Sequence, residues 1–251
     1  VALVSTASRR TTILTPLVPT ACHRLVPTAD YRTTVLADSP VGYWKLDDAT
    51  GTTAVDSSGN AHDGTYENSP TLGVSPLITT GNAVTFNGST QDVSIPWNAA
   101  FQPTNRFSFE AWIKTSAANG TIGCLFTGSG GGDLFYVALT SGKIEFDLWD
   151  SGDNGHQFLG SITLNDNVHH HVVCYYDGTK MLCSVDGALD GAGVSASITL
   201  ETVSTAIQIG VRKNNVGTRS GGFAGTIDEV ALYTTAPTQS RWLAHYNAGI
   251  S

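Results

Sequence analysis

The chain has 251 residues, room for one large β domain with an appendage or for two small domains. Only 14% of residues are charged and the net charge is −8. Residues 1–32 carry Arg9, Arg10, Arg24 and Arg32 against Asp30, so the acidity falls on residues 33–251, and that body is a poor nucleic-acid surface. No apolar run is long enough to span a membrane, and the opening residues lack the pattern of a signal peptide. Cys22, Cys124, Cys174 and Cys183 show no metal-type spacing.

In chain order, residues 1–32 stand apart. Leu17-Val18-Pro19-Thr20-Ala21 recurs as Leu25-Val26-Pro27-Thr28-Ala29, and Pro16, Pro19 and Pro27 forbid a long helix or a central strand. Such a segment cannot close a core of its own. It reads as an extended arm, 1–32, that docks on a partner, followed by a body, 33–251. Tyr31 to Leu36 reads as a short helix or turn, and Val41 to Leu46 as a strand. Residues 56–64 are an oxygen-rich loop. Ala83 to Phe86 and Asp92 to Ile95 read as two strands around an Asn87-Gly88 turn. Phe107 to Lys114 alternates with Phe107, Phe109, Ala111 and Ile113 inward. Cys124 to Phe126 and Leu134 to Leu139 flank the glycine-rich stretch 128–132. Lys143 to Trp149 alternates with Ile144, Phe146 and Leu148 inward.

Residues 168–187 read as a hairpin on the turn around Asp177-Gly178. A four-residue loop sets Tyr176 opposite Met181, Cys174 opposite Cys183 and Val172 opposite Val185. The two cysteines could form a disulfide; two facing core thiols are the preferred reading. Ala206 to Gly210 and Gly222 to Tyr233 supply the last strands. Thr238 to Asn247 reads as a terminal helix, capped by Thr238 and stopped by Gly249. About a dozen short strands at regular spacing predict an all-β, two-sheet antiparallel sandwich with a short C-terminal helix.

Several segments in order resemble one family. They are Val41-Gly42-Tyr43-Trp44-Lys45-Leu46-Asp47-Asp48, the run at 56–66, Ala83-Val84-Thr85-Phe86-Asn87-Gly88, Phe107-Ser108-Phe109-Glu110-Ala111-Trp112-Ile113, the 169–187 hairpin and Phe223-Ala224-Gly225-Thr226-Ile227-Asp228-Glu229-Val230. The closing His245-Tyr246 helix also fits. Together they resemble the laminin-G-like jelly rolls of the concanavalin A-like lectin/glucanase superfamily, over roughly residues 31–249. The resemblance implies a curved sandwich that serves as a sugar binder, an adhesion module or a spacer. The run Tyr31 to Pro40 is also similar to modules of phage virion proteins and bacterial secreted proteins.

Three clusters are candidate chemistry. Glu145, Asp147 and Trp149 share one strand face and could contact a sugar, with the indole as a stacking platform. In the laminarinase-like relatives the pattern Glu-x-Asp-x-x-Glu carries retaining hydrolysis; here the third position is Asp150, one methylene short. Asp56, Ser57, Asn60 and Asp63 offer hard oxygens on a tight loop, and Asp228 could join them around a structural Ca2+. The competing reading is a turn in which Asp and Asn bond their own backbone. His169, His170 and His171 alternate faces and read as an ordinary strand entry rather than a zinc site. The glycine stretch is not a phosphate loop, and His62 and His156 carry no pattern.

These features give one leading expectation: a non-catalytic phage virion structural protein, such as a capsid decoration, head-fibre or tail-associated subunit. It would be an oligomer in the particle, bound to other virion proteins through residues 1–32, with the sandwich exposed at the virion surface to host carbohydrate. The alternative is a calcium-assisted carbohydrate-binding module of a secreted bacterial protein. A glucan hydrolase is the third reading.

Overall fold

A computed structural model describes residues 30–126, 133–214 and 216–251. The arm before Asp30 and the glycine stretch 128–132 lie outside the described residues. The body is two antiparallel sheets face to face, as the alternation predicts. One sheet runs in the order Ala188–Leu189, Lys180–Val185, His169–Tyr176, Phe107–Thr115, Ala224–Tyr233, Ala83–Asn87 and Thr71–Val74. Gly42–Trp44 pairs with the second half of Ala224–Tyr233, and Val194–Ser195 with the start of Lys180–Val185. The other runs Gly155–Leu159, Lys143–Trp149, Asp133–Thr140, Gly120–Phe126, Ile207–Ile209, Asp92–Ile95, Gly64–Glu67 and Thr53–Ala54. A ribbon of Arg212–Lys213 and Arg219–Ser220 leaves this second sheet.

The inward residues of both sheets meet in one core. Phe107, Phe109, Ala111 and Ile113 face Phe135, Val137, Ile144, Phe146 and Leu148, all fully or almost fully buried. Each of the larger side chains among them, Ala111 aside, contributes about 1.5–3 kcal/mol of burial. The 169–185 hairpin has the predicted register: Val172 opposite Val185, Cys174 opposite Cys183, Tyr176 opposite Met181. Cys174 and Cys183 are free thiols with Sγ atoms 2.9 Å apart.

A second apolar layer lies on the far side of the first sheet. Tyr31 and Val35 of the helix Tyr31–Leu36, and Trp242 of the helix Gln239–Gly249, pack there on Trp112, Val173 and Tyr233. Asp30 caps the first helix by accepting the Thr33 N–H at 2.9 Å. Tyr31 and Arg32, grouped with the arm by composition, are therefore part of this docked helix. The second helix runs through Gly249 rather than stopping before it. A Cβ at Gly249 would lie 2.4 Å from the Trp112 ring, so only glycine allows the helix so close to the sheet.

One local reading is corrected. Ala83–Asn87 and Asp92–Ile95 are not a hairpin but belong to different sheets. The Asn87 carboxamide accepts the N–H groups of Ser89 and Thr90, and Gly88 takes a φ of +76°, so the turn carries the chain round the edge of the sandwich.

Candidate functional site

The alternation of Lys143–Trp149 sends Ile144, Phe146 and Leu148 into the core and leaves Glu145, Asp147 and Trp149 on the outer face of the second sheet. The structure thus brings all three predicted residues onto one surface. The Trp149 indole lies against Gly155 of the edge strand, where a Cβ would sit 3.4 Å from Nε1. A Cβ there would be in ordinary van der Waals contact with the ring, so the indole packs over the edge strand. Glu145 is fixed by its neighbours: Gln157 Nε2 donates to Oε1 at 2.8 Å, and the Thr140 hydroxyl donates to Oε2.

Strand pairing extends this face into a transverse polar row that the sequence alone does not reveal. Gln157 pairs with Asp147, Asp147 with Tyr136, Tyr136 with Cys124, Cys124 with Gln208, Gln208 with Ser94 and Ser94 with Thr65. Ile207 and Ile209 on either side of Gln208 point into the core, so alternation places Gln208 outward. The Arg212 guanidinium lies 4.4 Å from the centre of the Phe126 ring and 5.9 Å from that of Tyr136, and divides the row. On one side are Trp149, Glu145 and Asp147. On the other a cleft of about 290 Å³ opens between Ser94, Phe126, Gln208 and Lys213. The ribbon's other cations are paired: Lys213 Nζ reaches Glu67 at 2.6 Å, and Arg219 reaches Glu67 and, at 2.8 Å, Asp92.

Asp150 does not join Glu145 and Asp147. Its carboxylate closes a turn, accepting the N–H groups of Gly152 and Asn154 and facing His156 Nε2 at 3.2 Å. The Asn154 N–H, followed by His156, holds it well below the usual carboxylate range. A carboxylate so placed is a poor proton donor, and the three-acid pattern of a retaining hydrolase is broken at its last member.

The 56–63 loop is bonded within itself. Asp56 Oδ1 accepts the Tyr43 and Ser58 N–H groups, and Oδ2 accepts the Ser58 hydroxyl and the His62 N–H, all at 2.8–2.9 Å. Asp63 Oδ1 accepts the Asp56 N–H, and Asn60 Nδ2 donates to the Pro40 and Val41 carbonyls. Asp228 lies elsewhere, its Oδ2 accepting the Leu77 N–H at 2.8 Å. Among the described residues no three His, Cys, Asp or Glu side chains converge as a metal-ligand set. The donor set of Asp56, Asn60, Asp63 and Asp228 therefore does not fit a Ca2+ cage, which needs six to eight converging oxygens.

The laminin-G-type model of the concanavalin A-like lectin/glucanases superfamily matches residues 86–241. The chain belongs to that superfamily. No curated protein sequence matches it. Solved structures that share the fold include the botulinum neurotoxin serotype D binding domain, with 13% identity and a TM-score of 0.66 over 87% of this chain and 52% of that one. The binding domain of Paraclostridial Mosquitocidal Protein 1 also matches, with 13% identity and a TM-score of 0.66 over 84% of this chain and 52% of that one. So does the serotype D ligand-binding domain in complex with N-acetylneuraminic acid, at 15% identity and a TM-score of 0.64 over 87% and 52%. The chain spans about half the length of each of these domains.

On this superfamily fold, one more polar cluster escaped sequence reasoning. Glu110, on the outer side of the first sheet, is fully buried under the two helices. Its Oε1 accepts from the Tyr31 hydroxyl at 2.8 Å, His171 Nε2 at 2.7 Å and His245 Nδ1 at 2.9 Å; its Oε2 accepts from the Tyr233 hydroxyl at 2.7 Å. His245 Nε2 donates to Asp38 at 2.9 Å, and Arg241 pairs with the same carboxylate. Burial works against the Glu110 charge, yet His245 and His171 hold its carboxyl well below the usual range. Burial likewise opposes charge on His245, which Glu110 and Asp38 nonetheless carry upward. Beside this hub, Glu229 sits in a bulge at φ +51° and binds Arg32 and the Tyr43 hydroxyl. Burial raises it to about 7. Carboxylates, histidines and tyrosines in such a set could do acid–base work, but Glu110 and His245 have no exposed surface to offer a substrate. Their role is to fasten both helices to the sheet. Trp112 on the same strand face was the sequence signal: a tryptophan beside Glu110 marks a covered face.

Proposed function

We propose that the protein is a non-catalytic carbohydrate-binding module whose ligand lies on the outer face of the second sheet, against Trp149. The observation that carries this reading is the Trp149 indole, packed beside Gly155 on the outer face with Glu145, Asp147 and Gln157 alongside. An aromatic platform with oriented carboxylate and amide groups is the surface that a sugar ring needs, apolar below and hydrogen-bonding at its edges. The sialic-acid complex of the serotype D domain supports the class of ligand, on a related fold. The diverted Asp150 supports binding without hydrolysis. A glycan array with the purified chain tests the reading. Hits that disappear in Trp149→Ala, with an unchanged melting temperature, are expected. Silence across neutral and acidic glycans, or hits indifferent to Trp149→Ala, would contradict it.

The setting we propose is a phage virion surface, with the secreted bacterial module as the second reading. The arm's proline-bearing composition, which cannot close a core of its own, favours an arm that docks on a separate partner. The helix that follows the arm is pinned to the body through Tyr31 and Arg32, which suits a tether under load. Cross-linking mass spectrometry on intact particles should join residues 1–32 to another virion subunit. A secreted, particle-free protein with no such cross-links would favour the second reading.

A further inference from the structure

We propose that the cleft beside Gln208 is a second saccharide subsite, which takes one neutral sugar unit through two neighbouring hydroxyls. It rests on the carbohydrate-binding reading and extends it to the far side of Arg212. Ser94, Phe126, Thr205, Gln208, Lys213 and Asn214 line the cleft. Gln208 is only 3% exposed, and its Oε1 has no hydrogen-bond partner. Its amide nitrogen makes only long contacts, 3.3 Å to Ser94 Oγ and 3.4 Å to the Ala206 carbonyl. Stability alone does not call for this residue, because a buried, unpaired acceptor is costly and leucine would fill the same place. A buried acceptor left unpaired at the wall of a cleft can turn, by rotation of the side-chain amide, to take a donor from a ligand.

The surroundings narrow that ligand. Lys213 and Arg219 are balanced by Glu67 and Asp92, so the cleft presents no net excess of either sign from these groups. A carboxylate or phosphate would bring no proton for Gln208 Oε1. An ammonium group would meet Lys213. A hydroxyl can donate to Oε1 while its neighbour on the sugar ring accepts from Lys213 Nζ or from the Asn214 amide nitrogen. The Asn214 oxygen is already taken by the Val216 and Thr218 N–H groups, which leaves the nitrogen as the donor end. Gln208 and Asp147 are three strand spacings apart in one row, about 14 Å. A linear oligosaccharide lying across the strands, over Arg212, reaches both halves of the face.

The test is calorimetric titration of the full chain with laminari-, cello- and xylo-oligosaccharides of three and six units. For a series that binds, Gln208→Leu should weaken the hexasaccharide about tenfold, the loss of one buried hydrogen bond, and leave the trisaccharide nearly unchanged. Trp149→Ala should weaken both. The Gln208→Leu protein should melt at or above the wild-type temperature, which separates lost binding from lost fold. In the wild type, the Gln208 side-chain amide resonance should move when hexasaccharide is added. Unchanged hexasaccharide affinity in Gln208→Leu, with binding abolished by Trp149→Ala, would overturn the second subsite and leave the binding reading standing. No binding of any series to the wild type would overturn the second subsite, and silence on the glycan array as well would overturn the binding reading.

Discussion

Replacing Glu110 by glutamine changes one oxygen to an NH2 group at the centre of the buried hub. Four donors converge on the native carboxylate: the Tyr31 and Tyr233 hydroxyls, His171 Nε2 and His245 Nδ1. An amide keeps one acceptor and turns donors towards donors, and the His245 ring loses its buried counter-charge. A hydrogen bond to a charged group contributes about 1.5–3 kcal/mol, and breaking a buried pair costs about 3–5 kcal/mol, so a loss of about 3 kcal/mol is expected. For a domain of this size that lowers the melting temperature by about 6–12 °C. Thermal unfolding followed by circular dichroism reads it, with Tyr31→Phe as the milder companion, expected to cost about 1 kcal/mol. At temperatures where the variant is folded, glycan affinity should equal that of the wild type, because the hub lies on the first sheet and the ligand face on the second. A melting temperature within about 2 °C of wild type would refute the fastening role. Selective loss of ligand binding in a stable Glu110→Gln protein would refute the separation of the two faces.

Three further outcomes follow from the buried groups. Glu229 binds its proton more tightly folded than unfolded, so its contribution is present below its ordinary value and is lost as pH rises from there through about 7. His245, also raised, loses its contribution above its ordinary value, whereas the depressed Glu110 loses its contribution only in acid. Melting temperature should therefore peak in weak acid and fall between pH 5 and pH 8, and Glu229→Gln should flatten that fall; a maximum above pH 8 would contradict the assignment. Asp56→Ala should destabilise by about 1–3 kcal/mol through loss of the loop's bonding, while added Ca2+ should leave the wild-type melting temperature unchanged. A calcium-dependent rise of several degrees would instead place the ion on that loop.

The strands were legible because their alternation is local. Ile144, Phe146 and Leu148 announce one inward face, and the three residues between them share the other. The Cys174–Cys183 register was legible because a short turn fixes it. What local pattern cannot carry is which strands become neighbours. Asn87-Gly88 has the residues of a hairpin turn, yet nothing nearby says that the chain changes sheets there. Gln208 and Ser94 look like ordinary outward residues until distant pairing lines them up with Tyr136 and Asp147. Glu110 was hidden for a related reason: period-two alternation distinguishes two faces but not whether the second is wet. The helices that cover it lie far away in sequence. The oxygen-rich loop at 56–63 left two readings open in the sequence, since its composition suits an ion as well as the turn that its hydrogen bonds describe.

The central claim, that sugar lies against Trp149, has a direct optical readout. Trp44, Trp112 and Trp242 are fully buried, which leaves Trp149 and the partly buried Trp97 to sense a surface ligand. Titration of the wild type with the best array ligand should shift and saturate the indole emission. In Trp149→Phe the emission change should vanish while weak binding, measured calorimetrically, persists. An undiminished emission change in Trp149→Phe would contradict the account.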